Sequence, residues 1–466
     1  MADENHPATS WENAGASDDS EKRNNSDEDA KRRSSATGRI EPFGDETHAE
    51  VKYRTLSWWQ CSLLMIAETI SLGILSLPSV LASVGLVAGI ILITGLGICA
   101  TYSGFVYGQF KLAYPHVANL ADVGEVFFAP IGFGRAGREV FGFLQTVFLI
   151  FILGSHLLTF TIAMNTITGH ATCTIVWSVV GLVVMFLLSL PRTLKAVSYF
   201  SIAAFISIVG AVFVTVIAAG IENPGADVEA TVQTSFQPAF TATLNICFAF
   251  AGHMAFLTFI SEMREPRDFP KALIGLQSVE ITLYLIAAIV IYVYIGQDVA
   301  SPALGSTAPV VRKVAYGIAL PTIVIAGVIY ANVIAKQIYL RIFEKDPSQM
   351  GKKSFKSVGT WVAIIASLWL IAWIIAESIP VFNDLNSLIA ALFASWTTYG
   401  MPGAFWLFIN YGQWFKGWRK CCLTGINLAL FALGAAICGI GLYASGKAIH
   451  DDAGQGASWS CADNSV

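Results

Sequence analysis

Beyond about residue 55 the chain alternates long apolar runs with short polar connectors. Eleven runs can cross a hydrocarbon core of about 30 Å. They fall near 57–81, 86–112, 139–167, 173–190, 194–220, 239–261, 271–296, 314–342, 358–378, 382–410 and 422–445. Lipid offers no partner to backbone N–H and C=O groups, so segments of this length must satisfy their own hydrogen bonds as helices. The pattern predicts an all-α integral membrane protein of about eleven transmembrane helices. The fourth run is short, and the tenth opens on the polar stretch Asn383-Asp384-Leu385-Asn386.

Two runs are interrupted at mid-depth. The first reads Ala67-Glu68-Thr69-Ile70-Ser71-Leu72-Gly73-Ile74-Leu75-Ser76-Leu77-Pro78, and the sixth carries Phe250-Ala251-Gly252-His253. Either stretch alone fits close helix packing through small residues as well as it fits a break. The pair lies five helices apart, in spans of opposite direction, and each holds an ionisable residue; together they favour broken helices flanking a transporter binding site. Unwound backbone is tolerated in a membrane only where it faces a cavity, a ligand or protein. A half-helix N-terminus attracts a carboxylate and a C-terminus an ammonium. At Gly73 and Gly252 the absence of a Cβ is expected to let substrate touch the main chain.

Charge sets the orientation. With the N-terminus in the cytoplasm, 25 of the 28 Lys and Arg residues fall on the cytoplasmic side, and only Arg312, Lys313 and Lys447 fall outside. The loop around Lys352-Lys353 is therefore expected inside, and Glu222, Asp227 and Glu229 outside. Trp58-Trp59 and Trp406, Trp414 and Trp418 mark interfaces.

The composition agrees: 55% hydrophobic and 13% charged, with a mean hydropathy of +0.61. Of 32 acidic residues, 13 lie in residues 1–50. That tail has no apolar stretch of a signal peptide and has a disordered composition. Its Lys31-Arg32-Arg33-Ser34-Ser35 run fits either a kinase target or a plain solvated linker. No basic face for nucleic acid is present. The eight cysteines suggest neither a metal site nor a disulfide scaffold. Cys61, Cys99, Cys247 and Cys438 read as small buried hydrophobes. Cys421-Cys422, beside Arg419-Lys420, fit a palmitoylation site or two ordinary buried thiols. The absence of HExxH, GxSxG and paired intramembrane Asp motifs argues against an enzyme.

Charges at membrane depth are costly and point to function. Glu68 lies near the middle of its span and is the first candidate proton carrier, the other reading being a neutral structural plug. His253 and Glu280 are further proton-coupling candidates. For Glu280, as for His156, a helix-to-helix hydrogen bond is the plainer reading. Lys336, near a cytoplasmic end, is expected to snorkel. Glu262, Arg264, Glu265, Arg267 and Asp268 read as an interfacial charge network and candidate gate.

The stretch Met65 to Pro78 resembles the first helix of the amino acid/auxin permease family. Ala100-Thr-Tyr-Ser-Gly-Phe-Val-Tyr-Gly-Gln109, Tyr114-Pro-His116, Ala121-Asp-Val-Gly-Glu125 and Phe250-Ala-Gly-His253 extend the likeness to its fungal neutral amino-acid permeases. The resemblance runs from about Trp58 to Trp418. It implies a leucine-transporter-type fold with broken helices 1 and 6. The first five-helix repeat would span 56–220 and an inverted one 221–415, with an extra helix at 416–445. A cytoplasmic tail (1–55) and a short outer tail (446–466) would flank them.

The same likeness implies proton/amino-acid symport of neutral, apolar or aromatic substrates, without ATP, sodium or a cofactor. Substrate carboxylate would meet Ser71, Leu72 and Gly73, and its ammonium Ala251 and Gly252, with Thr69 as a further substrate-binding candidate. Other branches of the family lack a carboxylate at the place of Glu68, so a proton role there rests on physics alone. The expected location is the plasma membrane, multi-pass, with the vacuolar membrane second. Regulatory kinase or ubiquitin machinery is the partner class expected on the N-terminal tail. A vacuolar exporter and an amino-acid sensor remain open.

Overall fold

A computed structural model describes Phe43 and residues 52–465, apart from 223–224, 227, 347–348, 350–351, 353, 380 and 453–457. The rest of the acidic tail, the Lys31–Ser35 run, Asp227 and Lys353 lie outside the described residues. Among the described residues the elements are helices, with one isolated parallel bridge between Leu56 and Met263.

The spans follow the apolar runs in order. Span α1 consists of α1a (Trp58–Thr69) and α1b (Gly73–Val84); α2 is Leu86–Ala113, α3 Gly134–Thr168, α4 Thr174–Leu188 and α5 Leu194–Glu222. Span α6 consists of α6a (Phe236–Ala249) and α6b (His253–Glu262); α7 is Phe269–Ile295, α8 Pro309–Ile342 and α9 Phe355–Ser378. Span α10 runs from Phe382 to Ile409 and α11 covers Trp418–Asp452. By length and composition, eight of the described helices can cross a membrane, and the bent pair α1a/α1b makes a ninth. The fifteen-residue α4 and the composite α10 complete the eleven segments that the apolar runs predict.

Burial separates inner from outer helices. The apolar window of α6 is 94% buried, that of α3 83% and that of α8 78%; those of α2 and α9 are 33% and that of α11 28%. Outward positions such as Ile91, Ile98, Ile206, Phe213 and Ile217 are exposed and apolar, as a lipid-facing surface requires. The core therefore lies around α1, α3, α6 and α8.

Local chemistry explains the joints. Between α1b and α2 the chain turns at Gly85, whose φ of +90° disfavours other residues. A Cβ there would also lie 2.5 Å from Thr231 Cα. The N–H groups of Leu86 and Val87, which open α2, donate to the carbonyls of Glu229 and Ala230.

Three features depart from the sequence expectation. Span α10 is not uniform: a π-helical stretch, Ala390–Gly400, separates two α segments. Its widened turn leaves the Thr397 carbonyl to accept from the Tyr107 hydroxyl at 2.9 Å, a bond across helices that the apolar pattern cannot encode. A short helix, Leu120–Phe128, lies between α2 and α3, capped by the Asn119 side chain. Finally, Cys173 and Cys461 form a disulfide, so the expectation of no disulfide is corrected. The partners are 288 residues apart in sequence, a separation that cysteine spacing alone cannot interpret. The remaining cysteines are free; Cys421 and Cys422 are exposed rather than buried.

Candidate functional site

Both predicted breaks exist. Helices α1a and α1b meet at 51° across Ile70-Ser71-Leu72. Here the Ser71 N–H turns back to the Thr69 carbonyl at 2.9 Å, and the Thr69 hydroxyl donates to the Met65 carbonyl at 2.6 Å. Helices α6a and α6b part at Phe250-Ala251-Gly252, where Ala251 N–H donates to the Phe248 carbonyl at 3.0 Å.

The breaks lie against each other. A Cβ on Gly73 would sit 2.5 Å from Ala249 Cα, and one on Gly252 2.1 Å from Thr69 Cγ2. The close approach expected between these glycines and substrate is thus first of all an approach of protein to protein. Tyr284 of α7 joins the two ends: its hydroxyl donates to the Ala249 carbonyl at 2.8 Å and is shared with the Thr69 carbonyl at 3.1 Å. This gives the Ala249 carbonyl a donor and the Thr69 carbonyl a second one beside Ser71 N–H.

A cavity of about 10 Å³ lies between the breaks, lined by Glu68, Thr69, Leu72, Gly73 and Ala251 together with residues of α3, α6a and α8. That is room for about one water. Of the expected substrate residues, Thr69, Leu72, Gly73 and Ala251 line the cavity. Ser71 and Gly252 do not line it, although the Ser71 hydroxyl is buried beside it without a hydrogen bond.

Among the proton candidates, Glu68 stands at the cavity. It is 2% exposed, and neither carboxyl oxygen has a hydrogen bond of good geometry. The Tyr330 hydroxyl of α8 lies within loose hydrogen-bonding reach of it, and Glu280 within electrostatic reach. Glu280, also buried, accepts from Gln277 at 2.7 Å. This bond lies within α7, and the Thr69 side chain of α1a is a further polar neighbour within reach of the same carboxyl, in line with the helix-to-helix contact expected; Gln277 itself accepts from Thr101 of α2 at 2.9 Å. His253 points elsewhere, with Nε2 donating to the Ala100 carbonyl at 2.7 Å and the ring packed 4.6 Å from Phe256.

Sequence reasoning missed Tyr330, Tyr284, Ile152 and Phe248. For the tyrosines a signal existed: a hydroxyl at mid-span needs a partner, and Tyr284 follows Glu280 by one helical turn. His156 does make the expected hydrogen bond, 2.9 Å from the Ile323 carbonyl, and its ring also lines the cavity.

The end of the bundle where α6b and α8 finish is closed by charge and backbone. Lys336 does not snorkel; it is 1% exposed and ion-paired with Glu262, itself fully buried. The reason is local: α6b ends on a carboxylate that faces α8 inside the bundle, and pairing there replaces water for both groups. Leu56 N–H donates to Glu262 O at 2.9 Å, and Arg264 N–H to Leu56 O at 2.8 Å. Lys111 of α2 donates to the Ser261 hydroxyl at 2.8 Å. Of the remaining charges in that candidate gate, Arg264 holds the Thr55 carbonyl and Asp268 pairs with Lys271.

The comparisons agree with this architecture. The sequence pattern of the family described as "Transmembrane amino acid transporter protein" matches residues 54–446. The "N amino acid transport system protein" of Neurospora crassa is 37% identical over 424 residues, 88% of each chain. A "Transmembrane transporter" of Gibberella moniliformis is 29% identical over 433 residues, 89% of each chain. Among solved structures, MhsT in complex with L-phenylalanine aligns with a TM-score of 0.51 at 13% identity, covering 85% of this chain and 100% of that one. Mhp1, a nucleobase-cation-symport-1 family transporter in a closed conformation with bromovinylhydantoin bound, aligns at 0.50 and 14%, covering 88% and 96%. These last two carry the fold, which is of the leucine-transporter type with broken helices 1 and 6. The sequence relatives are transport proteins, not enzymes. The chain belongs to the transmembrane amino acid transporter family.

Proposed function

We propose that this transporter is a proton-coupled symporter of neutral amino acids, with Glu68 as its main proton-linked group and Glu280 and His253 assisting. The observation that carries the reading is the Glu68 carboxyl, buried at the cavity between the breaks with no cationic partner and no hydrogen bond of good geometry. A charge held there unpaired is costly. A bound proton removes that cost and lets the loaded carrier reorient; loss of the proton to the cytoplasm then favours release.

The chemistry of the site supports an amino acid with an uncharged side chain. The N–H end of α1b at Leu72-Gly73 suits the carboxylate, and the carbonyl end of α6a near Ala251 suits the ammonium. Leu72, Ile152 and Phe248 offer apolar surface to the side chain. Glu280 interacts electrostatically with Glu68, which supports an assisting role for it. His253, held by Ala100, would act through the start of α6b.

Persistent disulfides belong to oxidising compartments. The Cys173–Cys461 bridge therefore supports an outer location for the α3–α4 loop and the C-terminal tail, and a cytoplasmic N-terminus. The plasma membrane is the proposed location. Uptake of labelled neutral amino acids into proteoliposomes, with and without an inward proton gradient and without ATP or sodium, tests the reading. Accumulation that follows the proton gradient is expected; uptake indifferent to it would overturn the coupling.

A further inference from the structure

A second and larger cavity, of about 250 Å³, lies at the opposite end of the molecule from the Lys336–Glu262 closure. Its walls are α3 (Leu158, Thr161, Ile162), the end of α9, the start of α10 and the Ser301-Pro302 loop; its roof is the tail Trp459–Ser465. The tail is held firmly. Cys461 is bonded to Cys173, and Thr174 donates to the Ala462 carbonyl at 2.6 Å. Asn165 donates to Asn464 at 2.7 Å, and Trp459 packs edge-on against Trp373 at 5.3 Å.

Glu377, at the end of α9, is 6% exposed and lines this cavity. Among the described residues its carboxylate has no ion pair and no hydrogen bond, although its backbone carbonyl accepts from Trp459. The other charged lining residue, Asp463, lies at the rim, 3.7 Å from His170. The remaining polar lining consists of hydroxyls and one amide (Thr161, Thr174, Ser301, Ser460, Ser465 and Asn464). The cavity thus presents net negative charge and uncharged hydrogen-bonding groups. Such a site repels a free anion and favours an ammonium.

We propose that this cavity is an outer antechamber in which Glu377 takes the ammonium of an amino acid before it enters the central site. The proposal rests on the amino-acid transport reading above. Its position fits the role: the two cavities share α3, and His156 and Thr161 lie about 7 Å apart along that helix axis. Glu377 would raise the local concentration of substrate at the mouth and leave the central machinery untouched.

The test is uptake by the full-length protein in proteoliposomes, comparing wild type with Glu377→Gln and Glu377→Asp at equal, correctly inserted amounts. Glu377→Gln should raise the KM for a neutral amino acid severalfold with Vmax unchanged, and Glu377→Asp should recover part of the loss. An unchanged KM, or a fall in Vmax alone, would overturn the antechamber. So would a defect seen only as altered dependence on sodium or potassium, which would assign the carboxylate to a free cation. Absence of amino-acid uptake by wild type would instead refute the transport reading itself, so the two failures are distinguishable.

Discussion

Gly252 lies so close to Thr69 that a Cβ on the glycine would stand 2.1 Å from the threonine methyl. The two broken helices therefore press against each other at their breaks, and the smallest side chain sets their separation. Gly252→Ala should lower the melting temperature of the purified protein, with an overpacking cost of about 1–3 kcal/mol. Adding Thr69→Ser removes the methyl and should recover much of that loss. Gly95→Ala, where an added carbon meets nothing within 4 Å, is the control and should melt like wild type. Equal melting of Gly252→Ala and Gly95→Ala would contradict the packing described.

Glu262 and Lys336 seal one end of the bundle as a buried pair. Removing one partner leaves the other charge without compensation, at a cost of about 3–5 kcal/mol. Lys336→Met should accordingly be severely destabilised. Lys336→Met combined with Glu262→Leu should be markedly more stable than the single variant. A double-mutant cycle on thermal stability measures this, and additive losses would argue that the two side chains act independently.

The disulfide gives a chemical test of how the C-terminal tail is attached. Of the eight cysteines, six are free. Protein denatured without reductant should take up six equivalents of maleimide, and reduced protein eight. Eight without reductant would contradict the bridge and detach the tail from the α3–α4 loop.

Orientation is tested by single cysteines at Glu229 and Lys352, both exposed, in a background carrying Cys421→Ser and Cys422→Ser. An impermeant reagent should reach the first from outside the cell and the second only from the cytoplasm. Labelling of both from one side would contradict the eleven-span topology.

The architecture was legible because lipid imposes a simple rule: each apolar run had to be a helix. The breaks at Ile70–Leu72 and Phe250–Gly252 were legible because glycine and ionisable residues have few reasons to sit at mid-depth. What stayed hidden depends on pairing across helices. Lys336 looks like a snorkelling lysine until α6b brings Glu262 to it. Tyr284 and Tyr330 look like ordinary aromatics until the breaks give their hydroxyls something to meet. Cys173 and Cys461 carry no spacing signal at all. The π-helical stretch in α10 is a further case, since Tyr107 fills the opened turn from a helix about 290 residues away in sequence.

His253 offers a graded test of its assisting role. Gln at this position can still donate to the Ala100 carbonyl that now holds the ring. His253→Gln should therefore fold normally, shift the pH optimum of uptake and keep coupled transport. An unchanged pH profile would leave His253 a purely structural residue.

The most direct measurement compares net accumulation with exchange in Glu68→Gln proteoliposomes. Glutamine has the shape of protonated Glu68 but cannot release a proton. The variant should bind substrate and exchange one amino acid for another across the membrane, yet fail to concentrate it when the outside is made acidic. If Glu68→Gln still accumulates amino acid against its gradient under an imposed proton gradient, Glu68 is structural and the proposed coupling is wrong.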